Sequence, residues 1–192
     1  MADALVVVDV QTDFVEGGAL GVEGGSEVAR RIGEHVAAHG SGYAAVVASR
    51  DWHEPHGTNG GHFAAPNEEP DYRTTWPAHC VSTGPGAEYA AALDTSGITH
   101  EVRKGAGSAA YSAFEGRTAD GVALADLLHG LGVTHLDVVG IATDHCVRAT
   151  VLDARREGFS VRLLPGMHAG VAEETSRAAL AEMAAAGAEV GP

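Results

Sequence analysis

This chain is short of positive charge: 12 Lys and Arg stand against 26 Asp and Glu in 192 residues, a formal charge of -14. Such a surface repels phosphate backbones and anionic lipids, which argues against nucleic-acid and membrane partners. Cysteine is scarcer still. Cys80 and Cys146 are the two present, in contexts unlike a disulfide framework, and they point to a reducing, cytoplasmic setting. No stretch approaches the roughly 20 apolar residues of a membrane span. The N-terminus carries Asp3 where a signal peptide would be basic, and its apolar run stops at Asp9. Internal repeats, heptads and a long exposed apolar stripe are all missing, so the sequence leaves the oligomeric state open. The length suits one domain over residues 1–192 with a core large enough for a buried site.

What is present is an alternation of short apolar runs with longer helical patterns. Strands are expected over Ala4–Val8, Tyr43–Ala48, Thr99–Arg103, His135–Val139 and Ser160–Leu164. Helices are expected from a capped start at Ser26 to about Ala38, over Val122–Leu131, from about Asp144 to Glu157, and from Glu173 to about Ala186. The strand runs are apolar throughout, which implies a sheet covered on both faces. The fold class is therefore α/β: a doubly wound, mainly parallel sheet with helices on both faces, a Rossmann-like three-layer arrangement. The segment Trp52–Pro85 has neither periodicity. Its two tryptophans and four histidines argue for an ordered, functional loop.

In such sheets ligands collect beyond the carboxyl ends of the strands, which singles out Asp9, Asp51, Lys104 and the turn carrying Cys146. In LDVVGIATDHCV a strand runs through small residues into a helix start and delivers Cys146 there. Backbone N–H groups at a helix start favour negative charge, which predicts a lowered thiol pKa and donors for an oxyanion. Taken alone, Cys146 reads as a small buried residue rather than a reactive one. Asp9 and Lys104 read equally as a structural ion pair. Together the three offer a nucleophile, a proton acceptor and a fixed positive charge at one sheet edge.

A second set comprises Asp51, His53, His62 and His79, in RDWH, GGHF and WPAHC. Asp51 and His53 lie two apart and face the same way on an extended backbone, and the loop can fold His62 and His79 onto them. One carboxylate with three imidazoles suits a single divalent Zn, Fe or Mn ion with positions left for water or substrate. With 11 histidines in the chain, each one alone reads as a surface residue; His56 and His100 are left as such.

The segments VVVDVQTDF, ASRDWH, the His62-Phe63 pair, DYRTTWPAHCV, VRKG, AYSAFEG and GIATDHCV occur in this order. With them the chain resembles the nicotinamidase/pyrazinamidase branch of the isochorismatase-like cysteine hydrolases over nearly its whole length. The resemblance implies Asp9, Lys104 and Cys146 as catalytic triad. It implies Asp51, His53, His62 and His79 as ligands of one divalent metal ion, on a loop at about 51–85. The backbone N–H groups of Ala142 and Cys146 would form the oxyanion hole beside a cis peptide between Ile141 and Ala142. Phe14, Trp76, Tyr111 and His145 would surround the pyridine ring of the substrate. The implied reaction is hydrolysis of nicotinamide to nicotinate and ammonia, and of pyrazinamide to pyrazinoate, through a cysteine thioester in NAD salvage. Three rivals are an amidase for carbamoyl or ureido compounds with the same triad, a catalytically idle binding protein on the same fold, and a metal-hydroxide hydrolase.

Overall fold

The computed structural model describes residues 2–191. Six strands, β1 (Ala2–Val8), β2 (Ala45–Asp51), β3 (His100–Lys104), β4 (Val133–Ile141), β5 (Ser160–Ala169) and β6 (Glu189–Val190), form one parallel sheet in the order β3-β2-β1-β4-β5-β6. The helices are α1 (Gly25–His39), α2 (Leu124–Gly130), α3 (Arg148–Arg156) and α4 (Glu173–Ala185). Strand β1 is apolar from Ala4 to Val8 and β2 from Ala45 to Ala48 because both faces of the sheet are covered there. Along β1, Leu5 and Val7 pack with Val28, Ile32 and Val36 of α1, while Ala4, Val6 and Val8 pack with Leu128 of α2, Val151 of α3 and Met183 of α4.

The crossover from β2 to β3 contains no α-helix. Its irregular backbone supplies Cys80, Ala87, Ala90 and Leu93 to the core on the α1 side. This is the stretch that lacked periodicity in the sequence.

Several boundaries differ from expectation. The second strand begins at Ala45 and runs on to Asp51, so Tyr43 lies outside it. The first helix is not capped by Ser26. Its N-cap residue, Gly24, has no side chain, and the carboxylate of Glu16 instead accepts from the backbone N–H of Gly24 (2.7 Å) and Ser26 (2.9 Å) and from the Ser26 hydroxyl (2.6 Å). Strand β6, only two residues long, was not foreseen. Among the described residues no helix is long and apolar enough to cross a membrane.

Where β4 approaches its end it passes β1 closely. A Cβ on Gly140, whose φ is +127°, would meet the Val8 carbonyl oxygen at 2.1 Å and the Val8 nitrogen at 2.6 Å. Both backbones are central strands and neither can yield. Gly140→Ala is therefore expected to cost about 3 kcal/mol or more, near the upper end for point changes, read as a lowered denaturant midpoint at unchanged slope. A midpoint within error of the parent would contradict this account of the strand crossing.

Candidate active site

The strand ends assemble the site. Asp9 follows β1 directly, Asp51 closes β2 and Lys104 closes β3 as its register partner. Beyond β4 the Ile141–Ala142 peptide is cis, and the chain enters one π-helical turn, Thr143–Val147, before α3 begins. In that turn the Val147 N–H reaches back five residues to the Ala142 carbonyl at 3.1 Å. The continuous helix expected from Asp144 thus has a wide first turn, and this turn carries Cys146.

Asp9, Lys104 and Cys146 converge. The Lys104 Nζ lies 2.8 Å from Asp9 Oδ2, donates to Asp51 Oδ1, and stands 3.8 Å from Cys146 Sγ. The ligating atoms of Asp9, Asp51 and Cys146 lie within 4.8 Å of one another. Ser49 Oγ donates to Asp9 Oδ1 at 2.6 Å and fixes the carboxylate, which sits on a left-handed backbone position of φ +48°. All three side chains are buried.

Burial works on each of these groups differently. It pushes the Lys104 ammonium toward neutrality, but Asp51 and Asp9 outweigh it and hold the pKa well above the ordinary lysine value. Burial also raises the Asp9 carboxyl, with Asp51 adding to the rise and Lys104 opposing it. At Asp51 the attraction of Lys104, with the His53 and His79 rings close by, overcomes burial and keeps the carboxyl well below its usual range. The Cys146 thiol is pushed well above its ordinary pKa by burial and by Asp9 and Asp51, against the pull of Lys104. The helix-start argument predicted a lowered thiol pKa. Burial and the two carboxylates push the other way, which gives a neighbouring base such as Asp9 a part in removing the thiol proton.

The second set converges as well. Asp51 Oδ2 lies 3.6 Å from His53 Nε2 and 3.7 Å from His79 Nε2. The rings of His53, His62 and His79 stand 4.9 to 5.2 Å apart by centroid. His53 Nδ1 bonds the Gly105 carbonyl and His79 Nδ1 the Pro77 carbonyl, each at 2.8 Å, which turns both Nε2 atoms inward with lone pairs free. His53 Nε2 and His62 Nδ1 are buried with no hydrogen-bond partner. Burial, reinforced by His79 and His53, lowers His62 to about 3, so it is a neutral donor at ordinary pH. Unpartnered imidazole nitrogens facing a carboxylate are costly unless a cation takes them up, and this donor set fits one divalent metal ion.

The two sets open onto one cavity of about 700 Å³, lined among others by Asp51, His62, His79, Ala142 and Cys146. Phe14, Trp76, Tyr111 and His145 line it too. The Trp76 indole N–H donates to the Tyr111 hydroxyl at 2.9 Å, and the Trp76 ring stands edge-on to His145 with centroids 5.1 Å apart. These aromatic side chains therefore form a slot in the same cavity that the thiol, His62 and His79 line.

Sequence reasoning passed over the residues that brace this site. Gln11 clamps Asp51 through its backbone, accepting from the N–H at 2.8 Å and donating to the carbonyl at 2.9 Å. Asn59 ties the Glu54 backbone to the Gly107 N–H. Asp144 accepts from the N–H groups of Val171 and Ala172 and from the Thr175 hydroxyl. It caps α4, whose own N-cap residue, Ala172, has no side chain able to do so. A buried amide or carboxylate inside a matched motif was the only available signal, and it did not name the partners.

The isochorismatase domain family matches residues 3–191 of this chain. A nicotinamidase/pyrazinamidase of Mycobacterium tuberculosis is 48% identical over 188 residues, covering 97% of each chain. Among solved structures, PnC1 from L. infantum in complex with nicotinate superposes with a TM-score of 0.82 at 36% identity, covering 99% of this chain and 92% of that one. The pyrazinamidase of Pyrococcus horikoshii in complex with zinc gives 0.81 at 37% identity, covering 100% and 99%.

Proposed function

The chain belongs to the isochorismatase family, in its nicotinamidase/pyrazinamidase branch, and from that premise we propose the reaction and the residue roles that follow. It hydrolyses nicotinamide to nicotinate and ammonia, and pyrazinamide to pyrazinoate, in NAD salvage. One domain over residues 1–192 does this, with residues 51–85 as its metal-binding loop. A cytoplasmic setting suits its two unpaired thiols, Cys80 and Cys146. The observation that supports the reading most is the meeting of Asp9 and Lys104 with Cys146, which opens onto the cavity that Asp51, His62 and His79 also line.

In the first half-reaction Asp9 takes the Cys146 proton as sulfur attacks the carboxamide carbon. Lys104 stays protonated and holds Asp9 and the developing thiolate together. The negative oxygen of the tetrahedral intermediate forms beside Ala142 and Cys146, whose backbone N–H groups are its donors. Asp9 returns the proton to nitrogen, ammonia leaves and a thioester remains. In the second half Asp9 removes a proton from water as its oxygen attacks the thioester carbon, the departing sulfur takes that proton back from Asp9 to restore the thiol, and the acid leaves as nicotinate after releasing its own proton to solvent. General-base help contributes about 10²–10⁴-fold and each oxyanion donor a comparable amount. Phe14, Trp76, Tyr111 and His145 hold the ring so that the amide carbon faces sulfur. Asp51, His53, His62 and His79 would hold the metal ion, which when bound supplies a Lewis-acidic anchor that orients the ring nitrogen.

Ammonia release measured on nicotinamide and on an N-carbamoyl amine, before and after exhaustive chelation, tests the proposal. Turnover of nicotinamide is expected, with loss on chelation and recovery on adding back Zn, Fe or Mn. Release from the carbamoyl compound alone would move the chain to the ureido amidases.

A further inference from the structure

The cavity is larger than a single-ring amide needs: about 300–1,000 Å³ serves drug-sized ligands, and this one is about 700 Å³. The solvent-exposed part of its lining includes Tyr72, Arg73 and Val171. Arg73 is the one permanently cationic side chain among the lining residues. In a chain of net charge -14, most surface guanidinium groups are tied to carboxylates, as Arg103, Arg148 and Arg162 are. Arg73 has no carboxylate oxygen within 4.0 Å among the described residues.

The turn that carries Arg73 is built. Asp71 Oδ1 accepts from the N–H groups of Arg73 (2.9 Å), Thr74 (2.8 Å) and Thr75 (2.8 Å), and Oδ2 accepts from the Thr74 hydroxyl at 2.7 Å. The adjacent carboxylate is thus spent on backbone rather than on the guanidinium. Tyr72, at φ +55°, leans edge-on against Trp76, which fixes the turn to the aromatic slot. The other carboxylates of the lining are engaged too, Asp51 by Lys104 and Asp144 by the start of α4.

We infer that Arg73 is a charge-selective residue at the cavity mouth that favours the carboxylate product over the neutral amide substrate. The inference rests on the reaction proposed above, in which hydrolysis turns an uncharged carboxamide into an anion. A free guanidinium facing a cavity whose carboxylates are already paired attracts that anion and leaves the amide nearly unaffected. Nicotinate then competes with nicotinamide more effectively than its ring contacts alone allow, and the enzyme slows as product accumulates.

Calorimetric binding of nicotinate and of the neutral pyridine-3-methanol to the metal-loaded wild type, Arg73→Gln, Arg73→Glu and Arg73→Lys tests this. Nicotinate affinity is expected to fall about two- to fivefold in Arg73→Gln and further in Arg73→Glu, as for an exposed charge contact, and to persist in Arg73→Lys. The neutral compound should shift less, and the nicotinate effect should shrink between about 0.02 and 0.5 M NaCl. Equal nicotinate affinity in all four proteins, or parallel loss of both compounds, would overturn the inference. Thermal melts identify any variant that fails to fold, and the exposed Arg73→Lys change keeps the comparison available. Ammonia release from nicotinamide, measured on the same wild-type sample, judges the proposed reaction separately, because the binding comparison does not depend on turnover.

Discussion

Cys146→Ala is expected to reduce ammonia release from nicotinamide by about 10⁴-fold or more, because the covalent route disappears rather than weakens. The side chain is small and largely buried, and the π-helical turn is held by backbone bonds and by Asp144, neither of which involves sulfur. The variant should therefore fold with a nearly unchanged melting temperature. Asp51, His53, His62 and His79 are untouched, so its metal content by elemental analysis should equal that of the parent. This combination separates two chemistries. A metal-hydroxide hydrolase would keep most of its rate in Cys146→Ala and lose it in His53→Ala. Retained turnover in Cys146→Ala with full metal content would reject the nucleophile assignment. Rate loss accompanied by metal loss would mean that the thiol supports the imidazole cluster instead.

The sequence was legible where burial acts on whole segments. Ala4–Val8 and Ala45–Ala48 are apolar at consecutive positions because each strand is covered on both faces, and that pattern carried the sheet, its parallel sense and the strand ends at Asp9, Asp51 and Lys104. It was illegible where a single long-range bond decides the outcome. Ser26 looks like a helix cap by composition, yet Glu16, ten residues earlier, caps that helix through the chain bend between them. Strand β6 has two residues, too few for any period to register. The clamp of Gln11 on Asp51 spans 40 positions and leaves no local trace. The thiol is the instructive case. A helix start lowers the pKa of an exposed cysteine, but Cys146 is buried beside two carboxylates, and burial with those carboxylates pushes the thiol the other way. The ligands Asp51, His53, His62 and His79 were legible as residue types, while the inward turn of two imidazoles depends on the carbonyls of Gly105 and Pro77.

Lys104 joins the two halves of the site, and its removal is expected to damage stability and turnover together. It pairs with both Asp9 and Asp51, and all three side chains are out of contact with solvent. Lys104→Met keeps the length and apolar stem but leaves two buried carboxylates facing each other. Breaking a buried pair from one side costs about 3–5 kcal/mol, and two acceptors are stranded here rather than one. For a chain of this size that corresponds to a fall of about 6–20 °C in melting temperature. The sign of the metal dependence follows from the charges. A divalent cation held by Asp51 and the imidazoles supplies part of the missing positive charge, so the deficit of Lys104→Met should be larger in the chelated protein than in the loaded one. Adding Asp9→Asn removes one of the stranded carboxylates, and the double variant should regain part of the lost stability while remaining inactive. Arginine should not substitute fully, since a planar guanidinium does not fit the slot between Asp9, Asp51 and Cys146 that a compact ammonium fills. If Lys104→Met melts within about 2 °C of the parent in both loaded and stripped forms, the charge balance drawn here is wrong, for a loss of even 1 kcal/mol would exceed that shift. Lys104 would then be a bystander to both carboxylates.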